Sequence, residues 1–133
     1  MSAVRTDADV VALWSTLVPE DDLRRRSLWI VFLDGDGRPL PTVMPINDRP
    51  RQPDLPFCRS LRSILAELTR TTQARSALLL LTRPGSREAN ANDYSWAEAL
   101  SEAVGPELSP WPVHLATPDG VAGLASERFR EAS

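Results

Sequence analysis

The segment Asp34–Gly37, with the sequence Asp-Gly-Asp-Gly, restricts the fold of this chain more than any other local feature. It separates the apolar run Ser27–Leu33 from the run Arg38–Asn47, and Asp-Gly pairs between such runs predict a tight β-hairpin because glycine supplies a positive φ.

The return strand contains three prolines, Pro39, Pro41 and Pro45. Because they are an even number of positions apart, their missing N–H groups fall on one side, which predicts an edge strand or a strand with a broken far half. The segment also resembles half of a calcium loop, but the later acidic ligands are absent and a plain hairpin is favoured.

Periodicity predicts the other elements. Apolar residues at helical spacing predict three helices, at about Asp7–Val18, at Leu55–Thr71 and from Asn90 or Asn92 to Val104. Apolar runs predict two more strands, Ser76–Thr82 and Trp111–Thr117. The element order α-β-β-α-β-α-β predicts an α/β fold, a single layered α-β-α domain with a mixed sheet of about four to five strands. We expect one domain over residues 1–133, with a core at about 6–120, a short extension from Val121 and a frayed tail at about 125–133.

Cysteine, histidine and lysine usage excludes several kinds of chemistry. Cys58 and His114 are the only residues of their types, which rules out an intrachain disulfide and a cysteine-based zinc site. All 15 basic residues are arginine, so Schiff-base and P-loop lysine chemistry are also excluded. His114 lies within a predicted strand, where a structural role is favoured over a catalytic one. The sequence therefore predicts no metal and no cofactor.

Charge and hydropathy indicate which partners and which cellular location are expected for this chain. The formal net charge is −3, which argues against non-specific nucleic-acid binding. Arg24–Arg26 follows Glu20–Asp22, and we interpret the two clusters as a self-neutralising loop in preference to a phosphate-binding patch. The longest apolar run, Ala77–Leu81, is far below a membrane span, and acidic residues near the N-terminus do not suit a signal peptide. We expect a cytoplasmic protein without membrane contact.

The turn after the predicted central strand is the candidate binding cleft. It brings together five polar residues, Thr82, Arg83, Ser86, Asn90 and Asp93. In open α/β sheets, ligands bind beyond the carboxyl ends of the strands, near helix N-termini. A structural interpretation competes with this one, in which Asn90 caps the next helix and Arg83 pairs with Asp93.

The succession Leu28–Leu40, a helix, Ala77–Ser86 and the Asn90/Asp93 pair resembles the JAB/MPN metalloprotease superfamily, particularly its bacterial RadC-type branch. The resemblance covers about residues 27–117. In that family two histidines and an aspartate hold zinc, and an upstream glutamate activates water. Here the histidine positions are Leu81 and Arg83, and no glutamate lies in the hairpin strands. The resemblance therefore implies a degenerate domain without zinc ligands, a pseudoenzyme in which Arg83 occupies the metal volume and pairs with Asp93.

Two functional hypotheses remain open. The favoured one is a non-catalytic JAB-like interaction module that binds a protein partner or itself, with tryptophans as candidate anchors. The alternative is a small-ligand-binding protein or an atypical hydrolase that uses the turn around Arg83 and Asp93, with Asp119 as a further candidate. The sequence favours a protein that is not an enzyme, and we identify no catalytic residue in it. The chain also resembles short proteins of high-GC actinobacteria, a resemblance that implies no activity.

Overall fold

Five strands form one mixed sheet, with helices on both of its faces. The computed structural model describes residues 3–109 and 111–124 of the chain. The strands are β1 Ser27–Leu33, β2 Pro39–Asn47, β3 Ser76–Thr82, β4 Val113–Thr117 and β5 Gly120–Leu124. The helices are α1 Asp7–Leu17, α2 Leu55–Thr71 and α3 Ala91–Ala103. The α/β class and the mixed sheet predicted from the sequence are confirmed.

The hairpin turn Asp34–Gly37 joins β1 and β2 as predicted. The Asp34 carboxylate accepts the backbone N–H groups of Asp36 and Arg38, at 2.8 and 3.0 Å. Gly37 has a φ of +78°, and a Cβ there would lie 2.8 Å from the Val4 carbonyl oxygen. Glycine is therefore required at this position by both the backbone conformation and the close approach of the N-terminal segment.

The strand order is β2-β1-β3-β4-β5, so β2 and β5 lie at the two edges. The edge position predicted for β2 from its prolines is confirmed. β1 is antiparallel to β2 and to β3, whereas β3 and β4 are parallel and are connected through α3. All residues of β1 and of β3 are buried, as expected for strands covered on both faces.

The element order predicted from the sequence contains four strands. The structure has a fifth strand, β5, where only a short extension was expected. A two-residue turn, Pro118–Asp119, reverses the chain so that Thr117 pairs with Gly120. Gly120 has a φ of +140°, which a residue with a side chain rarely adopts. The connector after α1 also differs from the expected loop, since Glu20–Arg24 forms a short 3₁₀ helix. The tail predicted at about 125–133 lies outside the described residues.

Alternate residues of the central strands build two separate apolar clusters. On one face Leu28, Ile30 and Phe32 pack with residues of α2 and α3, including the fully buried Trp96 and Leu100. On the other face Trp29, Val31 and Leu33 pack with α1. This alternation follows from the two-residue period of a strand, and it produces the predicted α-β-α layering. No helix within the described ranges is long and apolar enough to cross a membrane.

Candidate functional site

Arg83 directly follows β3 and makes a two-pronged ion pair with Asp93. Its Nε donates to Asp93 Oδ1 at 2.9 Å, and its Nη2 donates to Asp93 Oδ2 at 2.7 Å. Nη1 donates to the Pro84 carbonyl and Nη2 also to the Glu88 carbonyl, both at 3.0 Å. The Arg83 side chain is 6% exposed and that of Asp93 is fully buried. Each guanidinium nitrogen therefore already has an acceptor inside the protein.

The helix that carries Asp93 begins with a capping box. Asn90 is the N-cap, as one of the two predicted alternatives, and its side chain accepts the backbone N–H of Asp93 at 2.9 Å. The Asp93 carboxylate in turn accepts the backbone N–H of Asn90 at 2.9 Å. The hydrogen bond with Asp93 raises the pKa of Arg83, although burial acts in the opposite direction. The predicted cap and the predicted Arg83–Asp93 pair are both present, and together they close the turn.

Thr82 and Ser86, the other two residues of the candidate cleft, bond elsewhere. Thr82 Oγ1 donates to the Arg25 carbonyl at 2.7 Å, accepts the backbone N–H of Ser27 at 3.1 Å, and makes a close contact with the Ser27 hydroxyl. Ser86 is exposed, and its hydroxyl accepts the Glu88 backbone N–H at 3.3 Å. The structure therefore joins Arg83, Asn90 and Asp93 in one network and directs the side chains of Thr82 and Ser86 away from it.

Arg49 is a second buried arginine at this end of the sheet, and it was not among the candidate site residues. It lies in the polar, proline-containing segment between β2 and α2, yet it is only 4% exposed. Its Nε donates to the Ser27 carbonyl and its Nη2 to the Thr82 carbonyl, both at 3.1 Å. The guanidinium carbon lies 5.1 Å from the centre of the Trp96 ring. Among the residues that the structure describes, its Nη1 has no hydrogen-bond partner.

The environment of Arg49 disfavours its charged form, although the guanidinium stays protonated at neutral pH. Burial lowers the pKa of Arg49 to about 10, and the neighbouring Arg26 and Arg83 act in the same direction while Asp93 opposes them. The preceding Asp48 has a φ of +56°, in the left-handed region. Arg49 was missed because its partners are strand carbonyls and an aromatic face distant in sequence, which leave no local pattern.

The residues implicated in metal chemistry do not assemble. Within residues 3–109 and 111–124, no group of three or more His, Cys, Asp or Glu side chains could hold a metal ion. Leu81, one of the two positions where the resemblance implies a histidine, is fully buried in the apolar core. Burial raises the pKa of the Cys58 thiol, which disfavours the thiolate. His114 is buried, and its Nε2 lies 2.7 Å from the Asp7 carboxylate.

No model of a known protein family matches the chain, and no curated protein sequence shows a significant match. The resemblance to JAB/MPN domains therefore stays a prediction.

Proposed function

We propose that this chain is a non-catalytic interaction module, JAB-like in its ancestry, that binds a second copy of itself through the β5 edge of its sheet. The closed turn at Arg83 supports a non-catalytic role. An anion bound at Arg83 would need a free guanidinium donor, whereas its three nitrogens already donate to Asp93 and two backbone carbonyls. The alternative of a ligand or hydrolase site at Arg83 and Asp93 has no comparable support.

The difference between the two sheet edges carries this proposal. The β2 edge contains three prolines and a register irregularity between Val31 and Leu33 of its partner, features that oppose pairing with another chain. The β5 edge, Gly120–Leu124, contains no proline and no charged residue. Within the part of the chain that the structure describes, β5 pairs with β4 alone. An edge of this kind is a template for a further strand.

The outward-facing backbone groups of β5 can be assigned from the ladder. The Ala116 carbonyl of β4 accepts the Arg83 backbone N–H, so it faces β3. Ala116 lies opposite Val121, and the two must form a non-hydrogen-bonded pair. The N–H and C=O of Val121 therefore point away from β4. Two β5 strands related by a two-fold axis would place uncharged residues against uncharged residues, so no like charges would oppose the pairing.

Sedimentation equilibrium tests this proposal. The weight-average mass of the wild-type protein is expected to rise from the monomer value of 14.7 kDa toward twice that value between micromolar and near-millimolar concentration. Val121→Pro removes an outward N–H without touching the β4–β5 ladder, and this variant is expected to stay monomeric.

Val121→Ala is the matched control, because it loses the same side-chain packing but keeps the N–H. It should dimerise as the wild type does. A wild-type protein that is monomeric at every concentration, or a Val121→Pro variant that dimerises equally well, would overturn self-pairing at β5.

A further inference from the structure

His114 is the single histidine of the chain, and its buried side chain extends from β4 to the first turn of α1. Its Nδ1 lies 3.1 Å from the Pro112 carbonyl oxygen, and its Nε2 lies 2.7 Å from Asp7 Oδ1. A carbonyl and a carboxylate are both acceptors, so each contact is a hydrogen bond only when the ring nitrogen carries a proton. Both nitrogens carry one only in the imidazolium form. The geometry therefore favours the charged ring and leaves neither nitrogen to act as a catalytic base.

The two acceptors differ in how freely they can move. The Pro112 carbonyl belongs to the backbone just before β4, two residues from His114. The Asp7 side chain is 69% exposed, whereas that of His114 is 1% exposed. An exposed carboxyl group is ionised at neutral pH and can turn into water at little cost. A His114 ring that loses one proton therefore keeps the Nδ1–H bond to Pro112 and loses the bond between Nε2 and Asp7.

The neighbouring strand positions leave room for the contact between His114 and Asp7. In the sheet, His114 lies beside Leu80 of β3 and opposite Gly123 of β5, neither of which titrates. A Cβ at Gly123 would lie 3.3 Å from Asp7 Oδ1 and 3.5 Å from His114 Nε2. The absence of a side chain at this position therefore lets the carboxylate meet the ring above β5.

Other charged residues near this face have different surroundings. Within residues 3–109 and 111–124, Asp7 is the only acidic residue that makes an ion pair with His114. The Asp9 carboxylate accepts backbone N–H groups of the segment before α1, and Arg5 borders the turn between β1 and β2. The charged 3₁₀ helix Glu20–Arg24 follows the last turn of α1, whereas Asp7 lies in the first. The protonation of His114 is therefore felt chiefly by Asp7.

We propose that His114 and Asp7 form a pH-sensitive latch between the sheet and α1. With His114 protonated, the ion pair holds the first turn of α1 over β5. The stabilisation belongs to the protonated ring, so it is present in mildly acidic solution and is lost as the pH rises and Nε2 gives up its proton. This latch depends neither on pairing at the β5 edge nor on the Arg83–Asp93 pair.

NMR of the imidazole ¹⁵N nuclei tests the protonation states, and a single histidine leaves no ambiguity of assignment. At about pH 5.5, below the ordinary imidazole value of about 6.5, both ring nitrogens should show imidazolium shifts. At about pH 8, Nδ1 should still carry its proton and Nε2 should not. A ring that is neutral in the acidic sample, or a neutral ring protonated at Nε2, would overturn the proposal.

Hydrogen exchange of the Val10 amide measures the release of the first turn. Its N–H donates to the Thr6 carbonyl at 3.2 Å, so its protection reports on that turn. Relative to the unstructured chain at each pH, protection should be about threefold lower at about pH 8 than at about pH 5.5, the scale of a partly exposed ion pair. In Asp7→Asn, the amide can accept from a protonated Nε2 and donate to a bare one, so protection should be equal at both pH values.

Asp9→Asn is the matched control, since it removes a negative charge from the same turn but leaves Asp7 and His114 in place. It should keep the pH dependence of the wild type. The proposal fails if wild-type protection does not change with pH, if Asp7→Asn changes as the wild type does, or if Asp9→Asn abolishes the change. A monomeric wild-type protein would disprove self-pairing at β5 without affecting this result.

Discussion

Two helices of this protein begin with the same capping motif, and the two motifs serve different purposes. In α1 the Thr6 side chain accepts the Asp9 backbone N–H, and the Asp9 carboxylate accepts the Thr6 backbone N–H. In α3 Asn90 and Asp93 make the equivalent pair of hydrogen bonds. The α1 bonds are exposed to solvent, whereas Asp93 is fully buried and also receives Arg83.

The comparison shows how tertiary position changes the role of a local motif. Backbone hydrogen bonds from Arg5 and Thr6 lower the pKa of Asp9, so its carboxylate only helps to start a helix. Asp93 has the same task and in addition neutralises a buried guanidinium from the end of β3. The capping box of α3 therefore fixes the helix to the sheet, while that of α1 does not.

Removal of Arg83 should have the largest effect. Arg83→Ala leaves the Asp93 carboxylate buried without its cation, and the free energy of unfolding should fall by about 3–5 kcal/mol, as measured by urea denaturation. The double variant Arg83→Met/Asp93→Leu should recover most of this loss because no buried charge remains.

Arg87→Ala provides the control, since Arg87 lies in the same turn but is exposed. Its effect should stay within about 0.5 kcal/mol. If Arg83→Ala were equally harmless, the distinction between the two capping boxes would fail.

Replacement of Arg49 should have a smaller effect than removal of Arg83. Arg49→Met removes two hydrogen bonds to carbonyls and the contact with Trp96, but it also removes a buried cation that has no carboxylate of its own. The expected loss in the free energy of unfolding is about 1 kcal/mol, by the same urea titration. A loss as large as that of Arg83→Ala would mean that Asp93 stabilises both guanidiniums equally.

Protonation of Asp9 should produce the smallest of these effects, because its hydrogen bonds at the start of α1 are exposed to solvent. Because the folded-state pKa of Asp9 lies below its ordinary value of 3.8, the ionised carboxylate stabilises the folded state above that pH. This contribution is lost as the pH falls through the folded-state pKa. The backbone amide resonances of Arg5 and Thr6, which donate to Asp9, should titrate with a midpoint below 3.8.

Asp9→Asn removes the titrating group, so the same two resonances should then show no midpoint in this range. A wild-type midpoint at or above 3.8 would contradict the assigned hydrogen bonds.

Local patterns predicted most of the fold and part of the candidate site. The bounds of α2 at Leu55–Thr71 followed from its apolar periodicity, and the Asp34–Gly37 turn followed from its glycines. The strand β5 was missed because Gly120–Leu124 is short and rich in small residues, with little periodicity of its own. Its pairing depends on the turn that places it beside β4, which is a non-local condition.

Local sequence specified the three helices, the strands β1 to β4, both capping boxes and the pairing of Arg83 with Asp93, since each depends on residues within about one turn or one loop of each other. Tertiary structure alone decided that Arg49 would be buried against Ser27, Thr82 and Trp96, and that His114 would be buried beside Asp7. These contacts join segments far apart in the chain. Their energies depend on burial and on the direction of individual donors, neither of which exists before the sheet and its helices are assembled.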